Sequence, residues 1–152
     1  MPKITFGAEG VPMSYKLTLD QKPAYIHAIV TGYNSKENVT RYLEDVRREC
    51  VARGCFRVLI EERLEGPRLR TMDVFQVAAD GSRRALGVFH AMAYVDVNAD
   101  GDLMKFAETV AVNRGIPVRL FSSVTDAEKW LLDQASGGTG PKASSDADKP
   151  QC

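Results

Sequence analysis

Three short apolar runs, CFRVLIEE, VFHAMAYVDV and IPVRLFSS, recur along the chain, and each leads on to a segment with helical spacing. Runs of this length suit buried central strands, and helices between them must serve as crossovers. Strands joined by helical crossovers pair in parallel, and the crossovers are right-handed, so the pattern predicts a layered α/β sheet. In such sheets ligands meet the loops beyond the C-terminal strand ends.

Upstream, Tyr15, Leu17 and Leu19 alternate with polar residues, and Tyr25 to Thr31 is β-branched and aromatic. A turn carrying Asp20, Lys22 and Pro23 separates them, which predicts an antiparallel hairpin. Ser35 caps a helix over NVTRYLEDVRRECVARG, with Val39, Tyr42, Leu43, Val46, Cys50 and Val51 on one face and Gly54 as a left-handed stop. TMDVFQVAAD forms a second helix, expected to bury Met72, Phe75, Val77 or Ala78, and Ala79. DGDLMKFAETVAVNRG forms a third, burying Leu103, Phe106, Ala107, Val110 and Ala111, and a fourth, capped by Ser122 or Ser123, carries Val124, Ala127, Trp130 and Leu131. The reading is a single mixed, mostly parallel sheet of about five strands flanked by about four helices, in the order ββαβαβαβα. Residues 1–13 read as a loose leader, with Met13 as an alternative start. Residues 14–134 read as the domain, and 135–152 as a disordered tail of small polar residues.

Composition narrows the function. Twenty basic and 20 acidic residues leave no net charge, and no basic stripe stands out, which counts against nucleic acid as a partner. No apolar stretch approaches the length of a membrane span, and the start has no secretory pattern. Cys50, Cys55 and Cys152 match no zinc spacing and read as thiols, the first two inert and the third exposed, for which the cytoplasm is the expected home. His27 and His90 lie in predicted strands, where structural roles are expected. No nucleophile–base pair or phosphate-binding glycine loop is present, so no cofactor is implied.

The segments YIHAIVTG, RVLIEERLEGPRL, AYVDVNADGDLMKFAETVAVNRG and VRLFSSVTDAEKWLL together resemble those of STAS-like domains, the fold of anti-sigma-factor antagonists. The chain is most similar to bacterial STAS-like proteins of unassigned role, over roughly residues 14–133. The resemblance implies a regulatory module that works through a protein partner. In the antagonist branch a serine at the start of the second helix is phosphorylated. Here no Asp-Ser-Ser motif occurs, and Thr71, preceded by Arg68 and Arg70, is the nearby hydroxyl and the candidate for modification.

Two local patterns bear on chemistry. Asp96, Asn98, Asp100, Gly101 and Asp102 match the opening of a calcium loop, although Ala107 stands where a bidentate Glu belongs. The alternative is that these residues leave a strand by a turn and cap the next helix. Glu61 and Glu62 end one strand and Asp96 the next, so these carboxylates share a rim if the strands are neighbours, with Glu61 and Glu62 on opposite faces. Pairing of these acids with Arg63, Arg68 or Arg70 would hold the loop EERLEGPRLR. The expected ligand or partner surface is therefore Glu61, Glu62, Arg63, Arg68, Arg70, Asp96, Asn98 and Ser122. The leading functional expectation is a non-enzymatic regulatory or binding module, contacting a protein (a homodimer included) or a small anionic ligand at this rim. The alternatives are a metal-dependent enzyme or calcium-binding domain using Glu61 or Glu62 with the Asp96–Asp102 loop, and a carrier of a lipid-type ligand.

Overall fold

The computed structural model describes residues 3–6, 15–97, 101–136 and 152. The strands are β1 (Lys3–Phe6), β2 (Tyr15–Gln21), β3 (Ile26–Tyr33), β4 (Arg57–Glu65), β5 (Ala91–Asp96) and β6 (Val118–Phe121). The helices are α1 (Lys36–Arg53), α2 (Thr71–Ala85), α3 (Gly101–Asn113) and α4 (Val124–Ala135). All six strands form one sheet in chain order. From β1 to β3 they pair antiparallel, and from β3 to β6 parallel. The α/β class and the order from β2 onward are as the sequence predicts. The sheet has one strand more, because KITF, read as leader, pairs with β2 from Lys3 opposite Thr18 to Phe6 opposite Tyr15.

Because β3 to β6 lie side by side in order, each right-handed crossover steps the same way, and α1, α2 and α3 fall on one face. The core on that face takes Leu17 and Leu19 from β2, Ala28 and Val30 from β3, Val58 and Ile60 from β4, and Tyr42, Val46 and Cys50 from α1. The other face is covered by α4, whose Ala127 and Leu131 pack on Leu59, Ala91, Ala93 and Val95. Ser35 accepts from the Asn38 amide to cap α1, and Gly54 ends it at φ 65° with its N–H on the Cys50 and Val51 carbonyls. Ser123, not Ser122, caps α4 through the Asp126 amide.

Four expectations about packing are corrected. Val51 is exposed on α1. Met72 and Phe75 turn outward on α2, where Phe75 stacks on Phe106 of α3, while Val74, Val77, Ala78 and Gly81 face the sheet. α2 is apolar on two sides, so spacing alone leaves its rotation open, and packing between α2 and α3 selects the small-residue side for the interior. His90 precedes β5 and is exposed, packing its ring against Phe56. Cys55 and Cys152, expected as separate thiols, are joined in a disulfide across 97 residues of sequence, and the Cys152 amide donates to the Pro23 carbonyl. Cys50 remains a buried free thiol.

Candidate binding cavity and its carboxyl cluster

Residues of β4 and β5 alternate between the two faces, so Ile60, Glu62 and Leu64 point toward α1–α3, as do Met92, Tyr94 and Asp96. The register sets Ile60 beside Tyr94 and Glu62 beside Asp96. Val95 aligns with Phe121, so the ends of β4, β5 and β6 form one rim, as the strand pattern predicts.

Behind this rim lies a cavity of about 460 Å³ between the sheet and the three helices. Its walls are mainly apolar: Ile60 and Met92 from the sheet, Leu43 from α1, Val77 from α2, and Leu103 and Ala107 from α3. The space exists because α2 and α3 present small side chains, Ala78, Gly81, Ala107 and Ala111, where Leu or Phe would fill it. A volume of this order is that of small-molecule sites.

Glu62, 6 % exposed, is the polar centre of the wall. Tyr94 donates its hydroxyl to Glu62 Oε2 at 2.5 Å, and Tyr42, fully buried on α1, donates to the same oxygen and touches the Tyr94 hydroxyl. Asp96 hydrogen-bonds to Glu62 from the neighbouring strand. Burial, followed by the Asp96 charge, pushes the Glu62 carboxyl up to about 8, against the pull of the two tyrosine hydroxyls. Burial and the Glu62 charge also raise both tyrosines well above their ordinary value. At neutral pH Glu62 therefore holds a proton, and it shares a hydrogen bond with the Asp96 carboxyl group. Chemically, such a pair gives or takes one proton at an apolar wall and anchors a hydrogen-bonding group.

The other residues of the predicted surface divide between sites. Glu61 points to the opposite face, where Arg63 Nε donates to its Oε2 at 2.5 Å and His27 Nε2 lies 2.8 Å from its Oε1. Arg63 thus pairs with Glu61 as the loop reading allowed, whereas Glu62 bonds to tyrosines and Asp96. Arg68 borders the cavity, and Arg70 sits exposed ahead of α2 without a side-chain cap bond. Thr71 is the exposed first residue of α2, and Ser122 is exposed beyond β6, off the cavity wall. Of the calcium pattern, Asn98 and Asp100 lie outside the described residues, and Asp102 is exposed in the first turn of α3. Among the described residues no three metal-ligating side chains cluster. No described helix is long and apolar enough to cross a membrane.

Sequence reasoning missed Tyr42 and Tyr94 as site residues and His27 as the partner of Glu61. Both tyrosines fell on faces read as apolar. The signal was available: a tyrosine on a buried face needs an acceptor for its hydroxyl, and alternation puts Tyr94 on the side of Asp96. No family model matches the chain, and no curated protein matches it.

Proposed function

We propose that this chain is a non-enzymatic binding module whose ligand, small and largely apolar, sits between the sheet and α1–α3 with its polar group on Glu62, Tyr94 and Asp96. The observation that carries the reading is the cavity of about 460 Å³ with one buried polar cluster in an otherwise apolar wall. This follows the sequence-based expectation of a binding module but draws the ligand inward, from the outer rim to the space beneath α2. It also joins that module to the lipid-type carrier considered beside it.

The loop after β4 couples the cavity to the surface. Glu65, Gly66 and Arg68 border the space, and the loop carries Arg68 and Arg70 to solvent. An occupant pressing on this loop alters what a protein partner meets there, which gives the module a regulatory output in keeping with the likeness to STAS-like domains. Cytoplasmic residence, expected of three free thiols, loses that support with the Cys55–Cys152 disulfide and is not part of the proposal.

The test uses pyrenylmethanol, a neutral fluorescent probe, titrated into the purified protein. Saturable binding with a blue-shifted, protein-enclosed emission is expected, and Ala107→Phe, which fills the space from α3, should abolish it while the fold is retained by circular dichroism. Binding that ignores Ala107→Phe, or no binding at all, overturns the proposal.

A further inference from the structure

Two carboxyl groups stand in register in the wall of this cavity, and carboxylates outnumber arginines along its lining. Glu62 apart, the lining residues include five carboxylates against three arginines. Two of those arginines are already engaged. Arg47 and Arg84 both pair with Glu44, at 2.5 and 3.6 Å. The third, Arg68, lies on the exposed loop at the mouth. Glu108 accepts from the Leu120 amide at 2.8 Å, Asp80 pairs with Arg83 on the outside of α2, and Glu65 is exposed at the end of β4. The groups that act on Glu62 itself are Asp96, Tyr42 and Tyr94.

Resting on the binding reading above, we propose that the ligand is a hydrophobic amine, with its ammonium group seated on the Glu62–Asp96 pair and its apolar body against Leu43, Val77 and Leu103. An ammonium brings three donors and a positive charge to a place that offers carboxylate oxygens and a tyrosine ring. Electrostatic attraction is strong there because the wall is removed from water. A carboxylate ligand meets the reverse situation, a like charge at close range in a poorly solvated space. A neutral alcohol meets neither. The exchange balances simply: the ammonium keeps its own proton, Glu62 gives up the one it holds, and that proton goes to the buffer.

Three probes of one shape separate the terms: pyrenylmethylamine, pyrenylmethanol and pyrenecarboxylic acid, titrated at neutral pH. The amine should bind at least about tenfold tighter than the acid, with the alcohol between them. Calorimetry of the amine in two buffers of different ionisation enthalpy should show release of close to one proton per molecule bound. Glu62→Gln should remove the preference for the amine and the proton release, while the alcohol still binds. Asp96→Asn serves the same purpose should the Gln variant fail to fold. Equal affinities for the three probes, or a preference for the acid, overturn the amine proposal and leave the cavity reading standing. Failure of all three to bind overturns both.

Discussion

Glu62 of β4 and Asp96 of β5 are register partners on the cavity face and share a hydrogen bond, with two tyrosine hydroxyls closing on one Glu62 oxygen. The arrangement makes stability depend on pH in a particular direction. Glu62 titrates near 8 when folded, against an ordinary 4.5. Between those values the folded chain holds a proton that the unfolded chain has lost, so stability falls as pH rises. Below the lower value both states are protonated and the contribution is fully present; above the upper one both are ionised and it is gone. The slope contributed is at most about 1.4 kcal/mol per pH unit. Urea midpoints from about pH 5 to pH 9 should decline in the parent protein and decline less in Glu62→Gln, which cannot ionise. The variant should be the more stable of the two at the alkaline end. Asp45, also pushed up by burial, adds a slope of the same sign at lower pH, and comparison of the two proteins removes it. Parallel curves for parent and variant would show that Glu62 keeps no proton.

The tyrosines act on Glu62 together, so their losses should not add. Tyr94→Phe and Tyr42→Phe each delete a donor to a buried acceptor, a change worth about 1–2 kcal/mol. With both gone Glu62 retains the Asp96 bond but neither hydroxyl, and a coupling of about 0.5 kcal/mol or more is expected from the double-mutant cycle. Strictly additive losses would mean that the hydroxyls serve separate partners.

How much of this was legible before the structure depends on which physical signal each residue sends. Glu62 and Asp96 could be placed because strand alternation and strand ends are local properties of RVLIEE and AYVDV. The alternation that sent Glu61 to the other face is likewise local, and Glu61 is found there with His27 and Arg63. The cavity was not legible, since its volume depends on which side of α2 turns inward. Met72 and Phe75 on one side compete with Val74, Val77 and Ala78 on the other, and only the packing of Phe75 on Phe106 decides between them. β1 escaped because four residues among Gly and Pro carry too short a period, and its pairing energy comes from β2, a partner beyond the reach of local pattern. The link from Cys55 to Cys152 is longer-range still.

That link sets the expected thiol count. The chain has three cysteines, and the disulfide leaves Cys50 alone. Cys50 is buried on the core face of α1, and burial pushes its thiol up to about 12, so the thiolate that reacts is scarce at neutral pH. Purified without reductant, the native protein should react with almost none of an aromatic disulfide reagent. It should react with one equivalent in denaturant, and with three after reduction and removal of the reductant. Three equivalents in denaturant without reduction would show the Cys55–Cys152 bond to be absent.

The loop that borders the cavity is fixed by its backbone. The Asn34 amide donates to the Glu65 carbonyl at 2.7 Å, and the Asn34 side chain donates to the Pro67 carbonyl at 3.0 Å, which ties the loop to the end of β3. Between those two points Gly66 adopts φ +107°, and a Cβ there would stand 3.0 Å from the Tyr33 ring. Gly66→Ala therefore incurs both an unfavourable backbone conformation and a close contact, a cost of about 1–3 kcal/mol. The loop can relieve that cost by breaking these two hydrogen bonds and pulling away from β3. The variant should accordingly show a lowered melting midpoint, faster amide exchange at Asn34, and weaker binding of pyrenylmethanol because the mouth of the cavity is no longer held. Ala substituted at Gly54, where φ is +65° but nothing lies within 4 Å of the added carbon, controls for backbone strain away from the cavity. If both variants lose stability and probe affinity alike, the loop has no special hold on the cavity.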